Sequence, residues 1–304
     1  MLVDVQNLRK EYGPLVAVKD VSFSIEPGQV VGLIGPNGAG KTTLLKMLAT
    51  LLEPTDGQIR VLGHDAHKNY LAIRGSIGYL PDFFGLYEDL TIAECLTFFA
   101  NTYKVPAADI PARVENVLEA IQLAEKRDDY VQNLSRGMIQ RLGLGALLVH
   151  EPALFLLDEP ASGLDPKARI DLRRVLTGLS EKGKSVLISS HILTELADFC
   201  THVIIMDHGR FLAQGKIDDI LAQLDSVRKV RITVLNSRPE AEKIAAAFGD
   251  IMESTDSGLT VGLSGDLEQI ARLNAALVQG GIHVVSLYEE KTNLEDMFLQ
   301  IAGA

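Results

Sequence analysis

Short apolar runs alternate with segments of helical periodicity through the first two thirds of the chain. A buried parallel strand is apolar on both faces, whereas a helix that covers a sheet is apolar along one stripe. The strand-like runs are residues 30–34, 154–157, 186–189 and 203–206. Helical patterns cover residues 43–52 and 172–179. The alternation predicts an α/β fold with a mainly parallel central sheet.

The stretch between about residues 87 and 150 lacks this alternation. Its apolar residues follow a helical period, and no strong strand pattern interrupts them. The helical segments are residues 92–103, 110–123 and 138–149. We expect residues 87–150 to form a helical subdomain inserted into an α/β core that spans residues 1–224.

A different pattern begins at residue 225. Strand-like segments cover residues 230–234, 251–254, 259–263 and 282–287, and helical segments cover 240–248 and 267–277. The order strand, helix, strand, strand, helix, strand predicts a small α+β domain of the ferredoxin-like type over residues 225–304. A last helix is predicted to begin at Thr292, because Glu295 follows at the spacing of a capping box.

Residues 35–42 read GPNGAGKT and match the phosphate-binding pattern GxxxxGK[ST] between a strand and a helix. In such a loop, backbone N–H groups and the helix N-terminus face the phosphates, a lysine reaches the β and γ phosphates, and a hydroxyl contacts Mg²⁺. We therefore predict a P-loop NTPase core that binds ATP with Mg²⁺, in which Thr42 is a metal ligand. The predicted nucleotide contacts are Gly35, Pro36, Asn37, Gly38, Ala39, Gly40, Lys41, Thr42 and Thr43.

Two carboxylates, Asp158 and Glu159, follow the apolar run 154–157. The carboxyl edge of a parallel sheet is where α/β proteins bind their ligands. We predict that Asp158 holds Mg²⁺ through its water shell and that Glu159 polarises the water that attacks ATP. His191 follows another strand-like run, and we expect its imidazole to reach the γ phosphate. Together these residues predict a Mg²⁺-dependent ATPase.

Composition narrows the partners that this ATPase can have. The formal net charge is −11 without a run of Lys or Arg, which disfavours binding to nucleic acid.

Cys95 and Cys200 lie far apart, and we expect both in the core. The richest apolar stretch, 142–157, is shorter than the ~20 residues of a membrane span, and residues 1–8 do not resemble a secretory signal. Any membrane role should therefore depend on a partner, and histidines other than His191 should lie at the surface.

Motifs across residues 1–220 resemble the ATP-binding subunits of ATP-binding cassette (ABC) transporters. Residues 134–138, LSRGM, stand where this family has its signature, and residues 162–165, SGLD, resemble the segment after the acidic strand. The resemblance implies a head-to-tail dimer that closes over two ATP molecules, each held by one subunit's phosphate loop and the other's signature helix. The further nucleotide contacts that it implies are Ser135, Gly137, Asp165 and, stacked on adenine, Tyr12.

Two positions depart from the family's pattern. Asp82 stands where the family usually has a glutamine that contacts the metal. Like charges ~5 Å apart repel by roughly 3 kcal/mol at an effective dielectric near 20, so Asp82 needs Mg²⁺ or a basic neighbour, or else points elsewhere. We assign it to the metal site. Arg136 and Met138 replace a glycine and a glutamine of the signature, while Gly137 keeps the close backbone approach.

The end of the chain, residues 287–299, resembles ATPase subunits of the ABC-2 type, which pair with separate membrane proteins and usually export. The resemblance implies a motor at the cytoplasmic face of the membrane. Its partners would be an integral membrane permease and a second ATPase subunit, either identical or homologous. We expect the permease to dock near residues 82–90 and the helical subdomain. Residues 225–304 could regulate, support the dimer, contact the permease or only add stability.

Two other functions compete with the exporter. A soluble ABC-type ATPase that acts on ribosomes or DNA would share every motif, although such proteins commonly carry two cassettes or long coiled-coil insertions. A small-molecule kinase would account for the phosphate loop but not for residues 134–138. The transported substrate is not readable from these motifs, because the family's substrate pathway lies in the permease.

Overall fold

The computed structural model describes residues 1–191, 196, 200–224, 228–235, 237–255, 258–263 and 267–290. Two compact units divide the chain, Met1–Ile217 and Asp218–Ala304. The division lies a few residues before the boundary predicted at residue 224. The helix predicted at Thr292 falls outside the described residues.

The first unit contains both strands and helices. Its strands are β1 (Val3–Tyr12), β2 (Leu15–Ile25), β3 (Val30–Ile34), β4 (Asp56–Val61), β5 (His64–Asp65), β6 (Ile77–Leu80), β7 (Leu154–Asp158), β8 (Ser185–Ser190), β9 (His202–Asp207) and β10 (Arg210–Lys216). Its helices are α1 (Lys41–Leu48), α2 (Tyr70–Arg74), α3 (Ile92–Thr102), α4 (Ile110–Ala120), α5 (Arg136–Leu148) and α6 (Pro166–Glu181), and α7 (Ile217–Leu224) crosses into the second unit.

A six-stranded sheet forms the centre of the first unit, in the order β10-β9-β3-β8-β7-β6. The neighbours from β9 to β6 pair in parallel, and only the β9–β10 hairpin is antiparallel. Every residue of β3, β7 and β8 is buried, which is why these strands read as unbroken apolar runs. The prediction of an α/β core with a mainly parallel sheet is confirmed.

A second sheet, β2-β1-β4-β5, is antiparallel and was not predicted. Its strands expose polar side chains on one face, and a register shift between Val5 and Leu8 in β1 interrupts the alternation. Asn7, within that irregularity, has a φ of 47°. The inner face shares one apolar core with α1 and the central sheet, so this sheet supports the helix that follows the phosphate loop.

The predicted helical segments between residues 87 and 150 are present as α3, α4 and α5. Helix α3 begins with a capping box, in which Glu94 N donates to Thr91 Oγ1 at 3.3 Å and Thr91 N donates to Glu94 Oε2 at 2.8 Å. Helix α5 packs closely on its neighbours, because a β-carbon at Gly145 would lie 2.8 Å from Ile121 Cδ1. Cys95 on α3 is buried, as is Cys200, so both cysteines lie in the core as predicted.

The second unit has the predicted order of elements. They are β11 (Arg228–Val234), α8 (Arg238–Ala246), β12 (Asp250–Thr255), β13 (Gly258–Leu263), α9 (Leu267–Gln279) and β14 (Val284–Glu290). All neighbours in the sheet β12-β13-β11-β14 are antiparallel, which is the ferredoxin-like arrangement. Apolar residues from the strands and from both helices form one core, of which Ile232, Val261 and Leu277 are members.

No helix in the described part of the chain combines the length and the apolar character that crossing a bilayer requires.

His150 departs from the expectation that the histidines other than His191 lie at the surface. Its ring is half-buried and stacks on Tyr103, with ring centroids 3.6 Å apart and an interplanar angle of 6°. Its Nε2 lies 3.1 Å from the carbonyl oxygen of Ile77 and donates to it, so the proton sits on Nε2 in the neutral ring. His202 is half-buried as well, with Nε2 3.1 Å from Gln29 Nε2.

The pKa of His150 predicts a pH-dependent stability. Burial lowers this pKa, and the positive charges of Arg113 and Lys184 lower it further. The unfolded chain therefore binds more protons than the folded chain at pH values below about 6.5, and the free energy of unfolding falls as the pH drops through that value. We expect His150→Gln to reduce the difference in urea midpoint between about pH 7.5 and pH 5.5.

The matched control is His64→Gln, because His64 is exposed on β5. This substitution should leave the pH dependence as in the wild type. An unchanged pH dependence in His150→Gln would contradict the assignment of a depressed pKa to His150.

Candidate functional site

The phosphate loop connects β3 to α1 at the carboxyl edge of the central sheet. Gly35 packs so closely on the carbonyl oxygen of Met206 that a β-carbon would collide with it. Gly40 has a φ of 109° and lies against the backbone of Ala17, so it too must be glycine. The amide of Gly35 donates to the carbonyl oxygen of Ser190 at 3.3 Å, which ties the loop to the end of β8.

Lys41, the first residue of α1, is held inside this loop with 5% of its surface exposed. Its Nζ donates to the carbonyl oxygens of Gly35 at 2.7 Å and of Pro36 at 3.1 Å. The same Nζ lies 3.1 Å from Glu159 Oε1. This last contact is an ion pair without hydrogen-bond geometry, since Glu159 Oε1 has no hydrogen-bond partner among the described residues. The buried ammonium group is therefore neutralised mainly by Glu159.

The acidic pair at the end of β7 is fixed by β8. Asp158 is 1% exposed, and its Oδ1 accepts a hydrogen bond from Ser189 Oγ at 2.7 Å. The same Oγ accepts from Glu159 N at 2.9 Å. Glu159 has a φ of 48°, a left-handed conformation that turns its side chain away from the direction of the strand. Ser189, which was not predicted from the sequence, thus holds the carboxylate of Asp158 and the backbone of Glu159.

Glu159 also contacts His191, the residue that we expect to reach the γ phosphate. Its Oε2 lies 2.8 Å from His191 Nδ1 and accepts from the backbone N of His191 at 3.3 Å. His191 is 40% exposed, whereas the Glu159 side chain is 12% exposed. One carboxylate therefore bridges the buried lysine and the solvent-facing histidine.

An open cleft lies above the phosphate loop. Tyr12 stands in its wall with 47% of its surface exposed. Leu15 and Ala17 of β2 also line the cleft. They were not predicted, because the β1–β2 hairpin was not predicted. The lining residues are Tyr12, Leu15, Ala17, Asn37, Gly38, Gly40, Lys41, Thr42, Thr43, Asp82 and Glu159.

Asp82 faces this cleft rather than pointing elsewhere. Its Oδ1 is buried without a hydrogen-bond partner among the described residues. Burial first, and then repulsion from Asp158 and Glu159, raise the pKa of the Asp82 carboxyl, while Arg136 and His191 act in the opposite direction. An unpaired carboxylate oxygen beside two further carboxylates is a place where a cation would be stabilised.

The donors around Asp82 fit a hard cation that prefers oxygen ligands. Asp158 supplies a second carboxylate, and the hydroxyl of Thr42 lies in the cleft lining. No three His, Cys, Asp or Glu side chains in the part of the chain that the structure describes form a complete metal site. A Mg²⁺ ion here would therefore also need water and phosphate oxygens, which is how Mg²⁺ is usually bound beside a nucleotide.

The predicted signature residues have structural partners within the chain. Ser135 caps α5, since Met138 N donates to its Oγ at 3.3 Å. A β-carbon at Gly137 would lie 2.5 Å from the β-carbon of Ala168, so glycine lets α5 approach α6. Asp165 caps α6 by accepting from Ala168 N at 2.9 Å. Ser135, Gly137 and Asp165 are not among the described residues that line the cleft of their own chain.

Comparisons with known proteins agree on one family. The family model described as ABC transporter matches residues 18–162. The chain is 31% identical to the linearmycin resistance ATP-binding protein LnrL of Bacillus subtilis, over 99% of this chain and 98% of that protein. It is 32% identical to the Nod factor export ATP-binding protein I of Ralstonia nicotianae, over 99% of this chain and 94% of that protein.

Solved structures give the same result. An ATP-binding subunit of an ABC transporter superposes with a TM-score of 0.67 at 33% identity, over 74% of this chain and 94% of that chain. A dimeric ATP-binding cassette in a post-hydrolysis state, bound to ADP and phosphate, gives a TM-score of 0.64 at 25% identity, over 71% of this chain and 98% of that chain.

The raised pKa of Asp82 predicts that this carboxylate destabilises the nucleotide-free chain. Asp82→Asn removes the repulsion from Asp158 and Glu159 while keeping the shape of the side chain. We expect its melting temperature at neutral pH, measured without Mg²⁺, to exceed that of the wild type by roughly 2–4 °C for each kcal/mol of relieved repulsion. The stabilisation that added Mg²⁺ gives should be smaller in the variant.

Asp89→Asn is the matched control, because it removes a carboxylate from an exposed position of the same segment. A melting temperature of Asp82→Asn below that of the wild type would contradict the repulsion that we assign to Asp82.

Proposed function

This chain belongs to the ATP-binding subunits of ABC transporters, and we propose that its cleft binds and hydrolyses ATP to drive transport through a separate membrane permease. The relatives act in linearmycin resistance and Nod factor export, and on this basis we infer export for this chain as well. The observation that carries the proposal is the position of Lys41, buried at the phosphate loop and paired with Glu159. An ammonium group held in this way is preorganised for phosphate.

ATP binding changes the partner of Lys41. The β and γ phosphates approach the N-terminus of α1, and their oxygens replace Glu159 Oε1 as the counter-charge of Nζ. Glu159 is then free to accept a proton from water, whose oxygen attacks the γ phosphorus as the bond to the β–γ bridging oxygen breaks. The products are ADP and phosphate. His191 stays beside Glu159 through its Nδ1 contact and faces the γ phosphate with the rest of its ring.

Asp82, Asp158 and Thr42 are the residues that would hold Mg²⁺ in this cleft. The ion would neutralise the charge that develops on the phosphate oxygens. The unpaired Oδ1 of Asp82 supports this assignment.

A second ATPase subunit completes each site in the proposal. Ser135, Gly137 and Asp165 lie at the N-terminal ends of α5 and α6, outside the lining of their own cleft. The dimeric relative with ADP and phosphate supports the pairing of two such subunits. In the proposed pairing, these ends meet the cleft of the other subunit. Both an identical and a homologous partner satisfy this geometry.

An exposed aromatic patch is the proposed permease contact. Phe83 is 83% exposed and Tyr87 58% exposed, and Tyr87 packs edge-on against Phe98 of α3 at a centroid distance of 4.9 Å. Apolar surface of this kind usually marks an interaction site. The patch follows Asp82 directly along the chain, so a permease bound here would lie next to the nucleotide cleft. The chain would then act at the cytoplasmic face of the membrane, without a nucleic-acid partner.

Glu159→Gln tests the hydrolytic step. The amide cannot accept the proton from water, so we expect kcat for phosphate release to fall by about 10²- to 10⁴-fold. The amide also does not compete for Lys41, and ATP should bind at least as tightly as in the wild type. Size-exclusion chromatography with Mg²⁺ and ATP should show a stable dimer.

Glu151→Gln is the control, because the side chain of Glu151 is 64% exposed and pairs with Arg113 instead. Its kcat should match that of the wild type. A Glu159→Gln variant that retains the turnover of the wild type would overturn the assignment of Glu159 as the base.

The aromatic patch is tested by Phe83→Ala. Removing a side chain at the centre of an interface typically costs enough binding energy for a tenfold loss of affinity or more. We expect at least about tenfold less of the variant to be retained on permease-containing membranes of the native host. Leu71→Ala on α2 is the control, because Leu71 is a 72% exposed apolar residue outside the patch.

Equal retention of Phe83→Ala and of the wild type would rule out the patch as the docking surface. Recovery of both with ribosomes or nucleic acid instead of membranes would overturn the exporter function while leaving the ATPase assignment intact.

A further inference from the structure

The first residue of α5, Arg136, covers the turn that follows Glu159. We call residues 160–165 the catalytic turn. A β-carbon built on Gly163, in the middle of this turn, would lie 2.6 Å from Cζ of Arg136 and 2.9 Å from its Nη2. The guanidinium group therefore occupies the space where a side chain at residue 163 would lie. Arginine places a rigid planar group there, which the compact ammonium group of a lysine does not reproduce.

Hydrogen bonds connect the catalytic turn to the backbone of Glu159. Ser162 N donates to the carbonyl oxygen of Glu159 at 3.0 Å, and Leu164 N donates to that of Ala161 at 3.3 Å. Glu159 itself is in the left-handed region, which a non-glycine residue keeps only when its surroundings hold it there. A shift of the turn would therefore move the backbone of Glu159.

A second contact anchors the same two elements. Gly137 of α5 packs on Ala168 of α6, and Ala168 N in turn donates to Asp165, the last residue of the catalytic turn. The N-terminal end of α5 is thus fixed to the middle of the turn and to the helix that follows the turn. Arg136 is the residue on α5 whose long side chain reaches back over Gly163, towards the cleft that contains Asp82.

We propose that Arg136 is a positioning residue for ATP hydrolysis, whose guanidinium clamps the catalytic turn and so keeps Glu159 aligned with the attacking water. The inference rests on the proposed hydrolytic role of Glu159. It requires Arg136 to act through its own chain and not by binding the nucleotide. Loss of the clamp should therefore affect the rate of the chemical step and leave the affinity for ATP unchanged.

The experiment compares Arg136→Ala and Arg136→Lys with the full-length wild type. For Arg136→Ala we expect kcat to fall by between about 10- and 100-fold, as it does when a catalytic group is misplaced. The KM for ATP and the dissociation constant of a fluorescent ATP analogue should stay within about twofold of the wild-type values. Amide hydrogen exchange across residues 160–165 should accelerate. Arg136→Lys should give an intermediate kcat, because it keeps the charge and loses the plane.

Arg174→Ala is the matched control, since Arg174 pairs with Asp171 on α6 and is 65% exposed. It should change neither kcat nor exchange in the turn. The positioning role is overturned if exchange across residues 160–165 is the same in Arg136→Ala and the wild type. It is also overturned if Arg136→Ala in the Glu159→Gln background no longer forms the ATP-dependent dimer, because Arg136 would then bind the partner's nucleotide.

A different result would show that the proposed function itself is wrong. A wild-type protein that releases no phosphate from ATP would overturn the hydrolytic role of Glu159. The hydrogen-exchange comparison does not depend on turnover, so it still tests whether Arg136 holds the catalytic turn.

Discussion

A buried ammonium group is the constraint on which the site depends. Lys41 lies at the bottom of the phosphate loop, where two loop carbonyl oxygens accept from Nζ and Glu159 supplies the opposing charge. Burying a charge without such partners would cost several kcal/mol. Glu159 is also the carboxylate that we propose as the base in hydrolysis. In that proposal, phosphate binding to Lys41 and release of the base are one exchange of partners.

The order of the central sheet brings the groups of this exchange together. β3 lies between β9 and β8, and β7 and β6 follow on the β8 side, so the loops after β3, β6, β7 and β8 open at one edge. Those loops carry Lys41, Asp82, Glu159 and His191 in turn. The antiparallel hairpin of β1 and β2 adds Tyr12 to the wall of the same cleft. Positions far apart along the chain therefore meet because parallel strands all end on the same side.

Much of this arrangement could be predicted from the sequence, because buried parallel strands read as unbroken apolar runs and the phosphate loop has a fixed spacing. The ferredoxin-like order of the second unit followed from alternating apolar residues in the same way. The antiparallel β2-β1-β4-β5 sheet was missed, since polar residues and the irregularity at Asn7 obscure its pattern. Three features of the site depend on tertiary packing, which no local sequence pattern encodes. They are the direction of the Asp82 carboxylate, the hydrogen bonds of Ser189 to Asp158 and Glu159, and the contact between Arg136 and Gly163.

The most direct test of this account is the structure of the chain with Mg²⁺ and a non-hydrolysable ATP analogue. The quantity to measure is the distance between Lys41 Nζ and Glu159 Oε1, which is 3.1 Å in the structure described here. The account predicts that this pair separates beyond hydrogen-bonding distance and that Nζ comes within about 3 Å of a phosphate oxygen. A nucleotide bound in the cleft with the Lys41–Glu159 pair still intact would contradict it.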